Sequence, residues 1–357
     1  MGSKVLMKGT EAIGEAAIQA GCQCFFGYPI TPQTELAAYL AKKMPQLGRV
    51  FVQAESEVAA INMIYGAAGT GVRCMTSSSS PGISLMSEGI SYIAGAELPC
   101  VIINIMRGGP GLGSIQPAQS DYFQATKGGG HGDYNMPVFA PSSIQEMVDI
   151  IHEAFDVADL YRTPCMIVGD GMLGQMMEPV VFTDRVRRDL PEKDWAATGL
   201  HGRKTHNVIN SLYLDPNDME QHNVRLQAKF ARIKEHEARY ELINCDRDND
   251  LILAAYGTTS RICKNVIRDA EKEGIKLGMV RPITLWPFPV EAFEQTADRT
   301  KFGYLTVEMS AGQMVEDVRL AVNGRKPVAF YGRTGGMVPH PEDILERVLQ
   351  MTSVGVM

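Results

Sequence analysis

The chain has 357 residues and a net charge of −7, from 41 acidic and 34 basic side chains. That length exceeds one hydrophobic core and at roughly 150 residues per domain points to two, while the acidic balance, without a clustered basic face, argues against nucleic-acid binding. The N-terminus Met1-Gly-Ser-Lys-Val-Leu-Met-Lys8 has no signal pattern, and no segment reaches the ~18 consecutive apolar residues of a membrane span, so a cytoplasmic protein with no membrane partner is expected.

From Thr10 to Gly21 apolar residues recur at helical spacing, with Thr10 placed to cap the helix and Gly21 to end it. A strand over Cys22–Phe26 follows. It runs into Gly27-Tyr-Pro-Ile30, where Thr31 and Pro32 read as the N-cap and first residue of the next helix. Val50–Gln53 reads as a strand, Glu55–Gly69 as an Ala-rich helix, and Val72–Thr76 as a strand before the loop Ser77-Ser-Ser-Ser-Pro-Gly82. Val101-Ile-Ile-Asn-Ile-Met106 is a continuous apolar run of the kind found in a parallel sheet covered on both faces, and glycines end it after Arg107. Ser143-Ile-Gln-Glu146 reads as a capping box opening a helix to about Leu160, with a strand over Pro164–Val168 after it.

The rhythm breaks between about 180 and 248, where charge and turn residues predominate and one mostly polar helix, about Asn217–Tyr240, crosses between domains. Leu251–Gly257 restarts the pattern, with a helix over Ser260–Lys272 and strands over Leu277–Val280 and Phe302–Val307. Alternating strands and helices predict an α/β protein with a doubly wound domain over 1–180, a linker arm over 181–248 and a second α/β domain over 249–357. The seven cysteines are scattered, odd in number and mostly set in apolar runs, which suits reduced core thiols. Cys22 and Cys24 alone are close, and a structural metal site needs about four ligands, so no metal or iron–sulfur cluster is expected on this chain.

Three side chains stand where apolar strands give way to turns or helix starts, which in open α/β sheets is where ligands bind. They are Thr31, Glu57 and Arg107. Glu55 and Glu57 are two residues apart at a helix start and point in opposed directions, so one carboxylate at most faces the crevice. A glutamate in a first helical turn also serves simply to complement the helix dipole. The planar fork of Arg107 suits a carboxylate, and the glycines after it let a ligand approach the backbone; a surface arginine at a strand end is the plainer alternative. Gln119-Ser-Asp121 and Lys127-Gly-Gly-Gly-His-Gly-Asp133 could fold over the same crevice or be ordinary connections.

Tyr28-Pro-Ile-Thr-Pro32, Ser56-Glu57, the Ser77–Gly82 loop, Ile105-Met-Arg-Gly-Gly-Pro110 and Val280-Arg-Pro-Ile-Thr-Leu-Trp-Pro-Phe-Pro289 together resemble the α subunit of the 2-oxoacid:ferredoxin oxidoreductases, nearest the branched-chain (3-methyl-2-oxobutanoate, or 2-ketoisovalerate) enzymes. The resemblance runs essentially end to end and implies a pyrimidine-type thiamine pyrophosphate-binding domain followed by a transketolase C-terminal-like domain. It also implies thiamine-dependent oxidative decarboxylation of a 2-oxoacid, with electrons passing to ferredoxin and the acyl group to CoA. Glu57 would hydrogen-bond the aminopyrimidine of the cofactor as the catalytic carboxylate, Pro29 and Ile30 would contact the cofactor, and Thr31 and Arg107 would bind the 2-oxoacid carboxylate. Glu308–Asp317 and Tyr331–Gly336 resemble segments that pack domains and subunits.

Val168-Gly-Asp-Gly171 looks like the opening of a magnesium–diphosphate signature, but no asparagine follows over Trp195–Thr205, so Asp170 reads as a strand-end residue. A β subunit carrying diphosphate, Mg2+ and a [4Fe-4S] cluster is therefore implied, with a small ferredoxin-like subunit. A single crevice arginine favours a branched aliphatic acid over 2-oxoglutarate, although Lys127 or His131 could serve a second carboxylate. A non-catalytic scaffold subunit is the contrasting reading.

Overall fold

The computed structural model describes residues 4–183 and 188–353; residues 184–187 of the expected linker arm, and the extreme ends of the two expected domains, lie outside the described residues. In chain order the first elements are β1 (Lys4–Lys8), α1 (Gly9–Gln19), β2 (Cys24–Gly27), α2 (Thr34–Gln46), β3 (Val50–Gln53), α3 (Glu57–Gly69), β4 (Cys74–Ser78), α4 (Pro81–Gly95) and β5 (Cys100–Met106). Next come α5 (Tyr122–Thr126), β6 (Val138–Phe139), α6 (Ile144–Tyr161), β7 (Pro164–Asp170), α7 (Gly171–Gln175), β8 (Met177–Val181) and α8 (Pro216–Glu237). The remainder is β9 (Tyr240–Ile243), β10 (Leu251–Ala254), α9 (Gly257–Lys272), β11 (Leu277–Pro282), β12 (Thr284–Trp286), α10 (Val290–Thr296), β13 (Tyr304–Glu308), α11 (Met314–Val322), β14 (Val328–Gly332) and α12 (Pro341–Ser353).

Seven strands form the larger sheet in the order β12-β6-β7-β5-β4-β2-β3, parallel except where β12 runs antiparallel to β6. Every residue of β5 and β7 is buried, as their unbroken apolar runs require in a sheet covered by helices on both faces. A five-stranded sheet, β14-β13-β10-β11-β9, is parallel apart from its edge strand β9, and β1 pairs antiparallel with β8 in a two-stranded sheet. In the larger sheet the chain steps from β2 to β3 on one side and then returns to β4 on the other, so the strand order reverses between β2 and β4. Their C-terminal ends flank the place where an open sheet leaves a crevice.

Several local expectations shift. Thr10 is fully buried inside α1 and its hydroxyl has no partner, while Lys8 precedes the helix without a side-chain cap; Gly21, at φ 87°, does end it. The Thr31–Pro32 peptide is cis, and α2 starts only at Thr34 with Gln33 ahead of it, so Thr31 belongs to the turn and is not a cap. The strand expected over Cys22–Phe26 is β2, which begins at Cys24 and leaves Cys22 outside it. Glu55 is exposed and lies before α3, whose cap is Ser56, with its hydroxyl accepting from the Ala59 amide at 3.1 Å. In the Ser143 box the hydroxyl accepts from Glu146 N, but the Glu146 carboxylate reaches Ser142 N at 2.7 Å and not Ser143 N, so the reciprocal bond is one residue early.

The polar helix α8 nonetheless buries a stripe, His222, Leu226, Phe230, Ile233 and Glu237, at the three- and four-residue steps of one helical face. Phe230 meets Trp286 edge to face, with ring centroids 5.8 Å apart, which ties α8 to β12. Between the two sheets Gln119 acts as a clasp: its amide nitrogen donates to Tyr256 O at 3.0 Å, its side-chain oxygen accepts from Met309 N at 2.9 Å, and its backbone N–H donates to Met309 O at 2.8 Å. All the satisfied groups are buried, so the clasp holds the second α/β unit against the crevice end of the first.

Candidate active site

The ends of β2, β3, β4 and β5 stand side by side, and the sequence puts a turn or a helix start after each. Thr31 follows β2, Glu57 begins α3 after β3, Ser78–Ser80 lead from β4 to α4, and Arg107 follows β5. The three residues singled out from the sequence thus share the C-terminal edge of one parallel sheet.

Glu57 is the first residue of α3 and is 5% exposed. Its side chain turns toward the start of α4, where a Cβ added to Gly82 would lie 2.6 Å from Glu57 Oε1 and 2.0 Å from Ser78 Oγ. Glycine is required there because the carboxylate and the hydroxyl occupy the space of a side chain. Among the described residues no hydrogen bond or ion pair engages the Glu57 carboxylate, and the buried hydroxyls of Ser78 and Ser79 also lack partners. Buried polar groups are ordinarily satisfied, so an unpartnered Ser78 hydroxyl beside the carboxylate of buried Glu57 marks a place prepared for another polar molecule.

Arg107 is 7% exposed. Its guanidinium donates to Thr31 O at 2.8 Å and to Leu112 O at 3.1 Å, while Nε is buried without a partner. Its backbone N–H donates to Ser80 Oγ at 3.0 Å. Ser80, at φ 22°, in turn donates to Asp121 Oδ2 at 2.6 Å, and Asn104 donates to the same oxygen at 2.9 Å. Burial pushes the Asp121 carboxyl up from its ordinary range, against the pull of those hydrogen bonds and of Arg107. A cavity of about 820 Å3 opens beside this network, lined by Ser80, Pro81, Arg107 and Asp121 from the first unit and by Met309 and Gln313 from the second.

Thr31 does not share that cavity. It is exposed on another one of about 750 Å3, with Pro32, Ile115 and Met172. Its link to Arg107 runs through its main-chain carbonyl. Pro29 and Ile30 are half-buried in the same turn. Of the flagged loop residues, Asp121 joins the cavity, whereas Lys127 is ion-paired with Asp317 and His131 lies against Ser91 and Tyr92 on α4. Neither Lys127 nor His131 lines the Arg107 cavity. Asp170 ends β7 and caps α7, accepting from Met172 N at 3.0 Å and Leu173 N at 3.1 Å, and burial raises its carboxyl. Among the described residues no group of three His, Cys, Asp or Glu side chains could hold a metal ion, and no helix is long and apolar enough to cross a membrane.

Gln33, Ser80 and Asn104 were not singled out from the sequence. Gln33 accepts from Ser77 Oγ at 2.7 Å and donates to Tyr28 O at 3.2 Å, bridging the ends of β2 and β4. Each acts through a partner 17 to 44 residues away, and no spacing in the sequence signals such pairs.

Comparison with known proteins places this geometry. A family model described as pyruvate flavodoxin/ferredoxin oxidoreductase, thiamine diP-binding, matches residues 15–242, and one described as pyruvate:ferredoxin oxidoreductase core domain II matches residues 249–344. The ketoisovalerate oxidoreductase subunit VorB of Methanothermobacter thermautotrophicus is 48% identical over 97% of this chain and 97% of its own length. Among solved structures, the 2-oxoglutarate:ferredoxin oxidoreductase from Magnetococcus marinus, with 2-oxoglutarate, coenzyme A and succinyl-CoA bound, superposes with a TM-score of 0.86 at 25% identity, over 98% of this chain and 66% of that one. A split-gene transketolase at 16% identity and a TM-score of 0.60, covering 97% of this chain and 98% of that one, shares the fold. The chain belongs to the 2-oxoacid:ferredoxin oxidoreductases, as a subunit carrying the thiamine diphosphate-binding domain of that family.

Proposed function

We propose that this chain supplies the aminopyrimidine-binding half of a thiamine diphosphate site at which a branched-chain 2-oxoacid, 3-methyl-2-oxobutanoate foremost, is oxidatively decarboxylated to its acyl-CoA with reduction of ferredoxin. The observation that carries this reading is Glu57, buried at the sheet edge with no hydrogen-bond or ion-pair partner for its carboxylate among the described residues. A ring of alternating nitrogen donors and acceptors fits such a place: Glu57 would hold a proton at the ring nitrogen, the hydroxyls of Ser78 and Ser79 offer further partners, and Gly82 leaves room for them. Pro29 and Ile30 would flank the ring from the β2 turn. Thiamine diphosphate supplies a nucleophilic thiazolium carbon and an electron sink for the carbon–carbon bond that breaks.

Arg107, with Nε free and the cavity beside it, would receive the substrate carboxylate, and Thr31 would serve substrate binding by fixing the arginine through its carbonyl. Because this carboxylate leaves as CO2, the arginine must position the group without holding the ground state more tightly than the transition state. Among the described residues lining its cavity Arg107 is the sole cation, and Lys127 is ion-paired with Asp317, which favours an uncharged substrate side chain over the second carboxylate of 2-oxoglutarate.

Asp170 is committed to a helix cap, so the magnesium and diphosphate are assigned to a β subunit, with the [4Fe-4S] cluster there and a small ferredoxin-like subunit completing the assembly. On the same footing the chain divides into a cofactor domain (1–180), an arm (181–248) and a transketolase C-terminal-like domain (249–357), and works in the cytoplasm. The test is purification with the neighbouring subunits and thiamine-dependent dye reduction with 2-ketoisovalerate, 2-oxoglutarate and pyruvate. Preference for 2-ketoisovalerate is expected; strict preference for 2-oxoglutarate overturns the substrate, and undiminished turnover of the Glu57→Ala complex would favour the scaffold reading.

A further inference from the structure

The loop that follows β5 holds one side of Arg107, but little within it fixes its shape. Four of the nine residues 108–116 are glycine, and the apolar side chains Pro110, Leu112 and Ile115 are all exposed. So glycine-rich a segment has wide backbone freedom, and no buried apolar side chain of its own pins it. Its ends are tied: Gly108 N donates to Gln116 O at 3.0 Å, Ser114 N donates to Gly108 O at 2.7 Å, and Arg107 bridges to Pro117. Among the described residues no backbone–backbone hydrogen bond reaches residues 109–113 between them. Yet the carbonyl that accepts from the Arg107 guanidinium there is that of Leu112.

The loop rests instead on the second α/β unit. A Cβ added to Gly108 would lie 2.9 Å from Gly335 C and 3.0 Å from Gly336 N, and one added to Gly336 would lie 2.4 Å from Gln116 Cβ and 2.9 Å from Ser114 Oγ. Glycine backbones therefore meet where side chains could not. Ser114 Oγ donates to Gly335 O at 3.2 Å across this contact. Gly335 and Gly336 have φ of 67° and 98°, which glycine adopts freely and an L side chain resists. Their turn is firm from behind. Met337 N donates to Thr334 O at 3.2 Å, and Arg333 N donates to the carbonyl of fully buried Glu308, whose carboxylate accepts from the amides of Gln313, Met314 and Val315. A loop with little order of its own is thus laid against a fixed turn.

We propose that the turn at residues 334–336 is a positioning element for Arg107. By seating Gly108 and Ser114 it keeps the loop in the shape that brings the Leu112 carbonyl to the guanidinium, and so sets the grip of the cavity on the 2-oxoacid carboxylate; this rests on the carboxylate-binding role of Arg107. Thr334 and Gly335 also line the Arg107 cavity, so the turn stands at the site it arranges. The contact is made on the arginine's loop and not on Glu57, so displacing it acts on substrate affinity and leaves the cofactor's chemistry alone.

The test uses the complex with all its subunits and Gly336→Ala, whose added methyl must push Gln116 and Ser114 away. KM for 2-ketoisovalerate should rise about tenfold while kcat stays within about twofold, since a misplacement on the order of 1 Å weakens an oriented contact. Peptides covering residues 108–116 should take up deuterium faster. Ser114→Ala loses only the hydroxyl contacts with Gly335 and Gln116, and should raise KM about threefold, the scale of one neutral hydrogen bond. Gly274→Ala, at φ 78° after α9 with nothing within 4 Å, carries a similar backbone cost and should lower the melting temperature with KM unchanged. In an Arg107→Ala background, Gly336→Ala should add no further rise, because both act on one contact. Native KM in Gly336→Ala and Ser114→Ala while Arg107→Ala still raises it, unchanged deuterium uptake, or a full further rise in the Arg107→Ala background would overturn the turn's role alone. Native KM in Arg107→Ala would overturn the arginine's role and the turn's with it.

Discussion

Gly82 and Glu57 show how one missing atom can define a site. A methyl group at position 82 would meet the Ser78 hydroxyl and the Glu57 carboxylate at 2.0 and 2.6 Å, so Gly82→Ala must displace the carboxylate. The expected result is weaker thiamine diphosphate binding by the assembled enzyme, measured calorimetrically. Gly66→Ala in α3, the helix that Glu57 opens, meets nothing within 4 Å and should instead stabilise the fold by about 1 kcal/mol of helix propensity, seen as a higher melting temperature with cofactor affinity unchanged. Arg107→Ala removes a charged hydrogen-bonding partner worth about 1.5–3 kcal/mol, so KM for the 2-oxoacid should rise on the order of tenfold to a hundredfold, with partial recovery of rate at high substrate. The sequence revealed Glu57 and Arg107 because each follows an apolar run at a strand end. It concealed Ser80 and Asn104, whose role depends on Asp121 arriving from a different loop.

Strands and helices in the body of the chain were legible wherever burial on both faces forced unbroken apolar runs, as in β5 and β7, or where a capping box opened the helix, as at Ser143, whereas the Ser56 cap went unread and the helix after it was started at Glu55. The β12 strand was not. Its residues fall in the second half of the chain but pair with β6 of the first sheet, a partnership between segments about 145 residues apart that no local pattern encodes. The Gly-Asp-Gly segment looked like a metal signature and proves to be strand end plus helix cap, because α7 needs its first amides satisfied. Asp170→Ala should consequently cost about 1 kcal/mol or somewhat more, the scale of a lost N-cap, seen as a lower denaturant midpoint, and Asp170→Asn should recover most of it. Magnesium dependence of the assembled enzyme should be the same in both variants.

Across the whole molecule the seven- and five-stranded sheets share one continuous apolar core, and the buried polar contacts that cross it set its response to acid. Arg281, 6% exposed in its side chain, donates to both oxygens of Glu146, at 3.1 and 2.8 Å, and to Glu241 at 2.7 Å, tying β11 of the second sheet to α6 over the first and to β9. Burial works to raise the Glu146 carboxyl, but Arg281 and Ser142 overcome it and hold the group below its ordinary value. A carboxyl depressed in the folded state stabilises above its unfolded pKa, and that contribution is lost as pH falls through the folded one. Melting temperature should therefore drop steadily below about pH 4.5. Arg281→Met should cost roughly 3 kcal/mol near neutrality by leaving half-buried Glu146 without its counter-ion, and should flatten that acid limb.

The account rests on Glu57 meeting the cofactor ring in the assembled enzyme. The most direct measurement is the rate at which the thiazolium C2 proton of bound thiamine diphosphate exchanges with solvent deuterium, in the native complex and in the Glu57→Gln complex with cofactor bound at saturation. Loss of the proton-holding carboxylate should slow exchange by about a hundredfold or more. Exchange at the native rate in the variant would contradict the assignment.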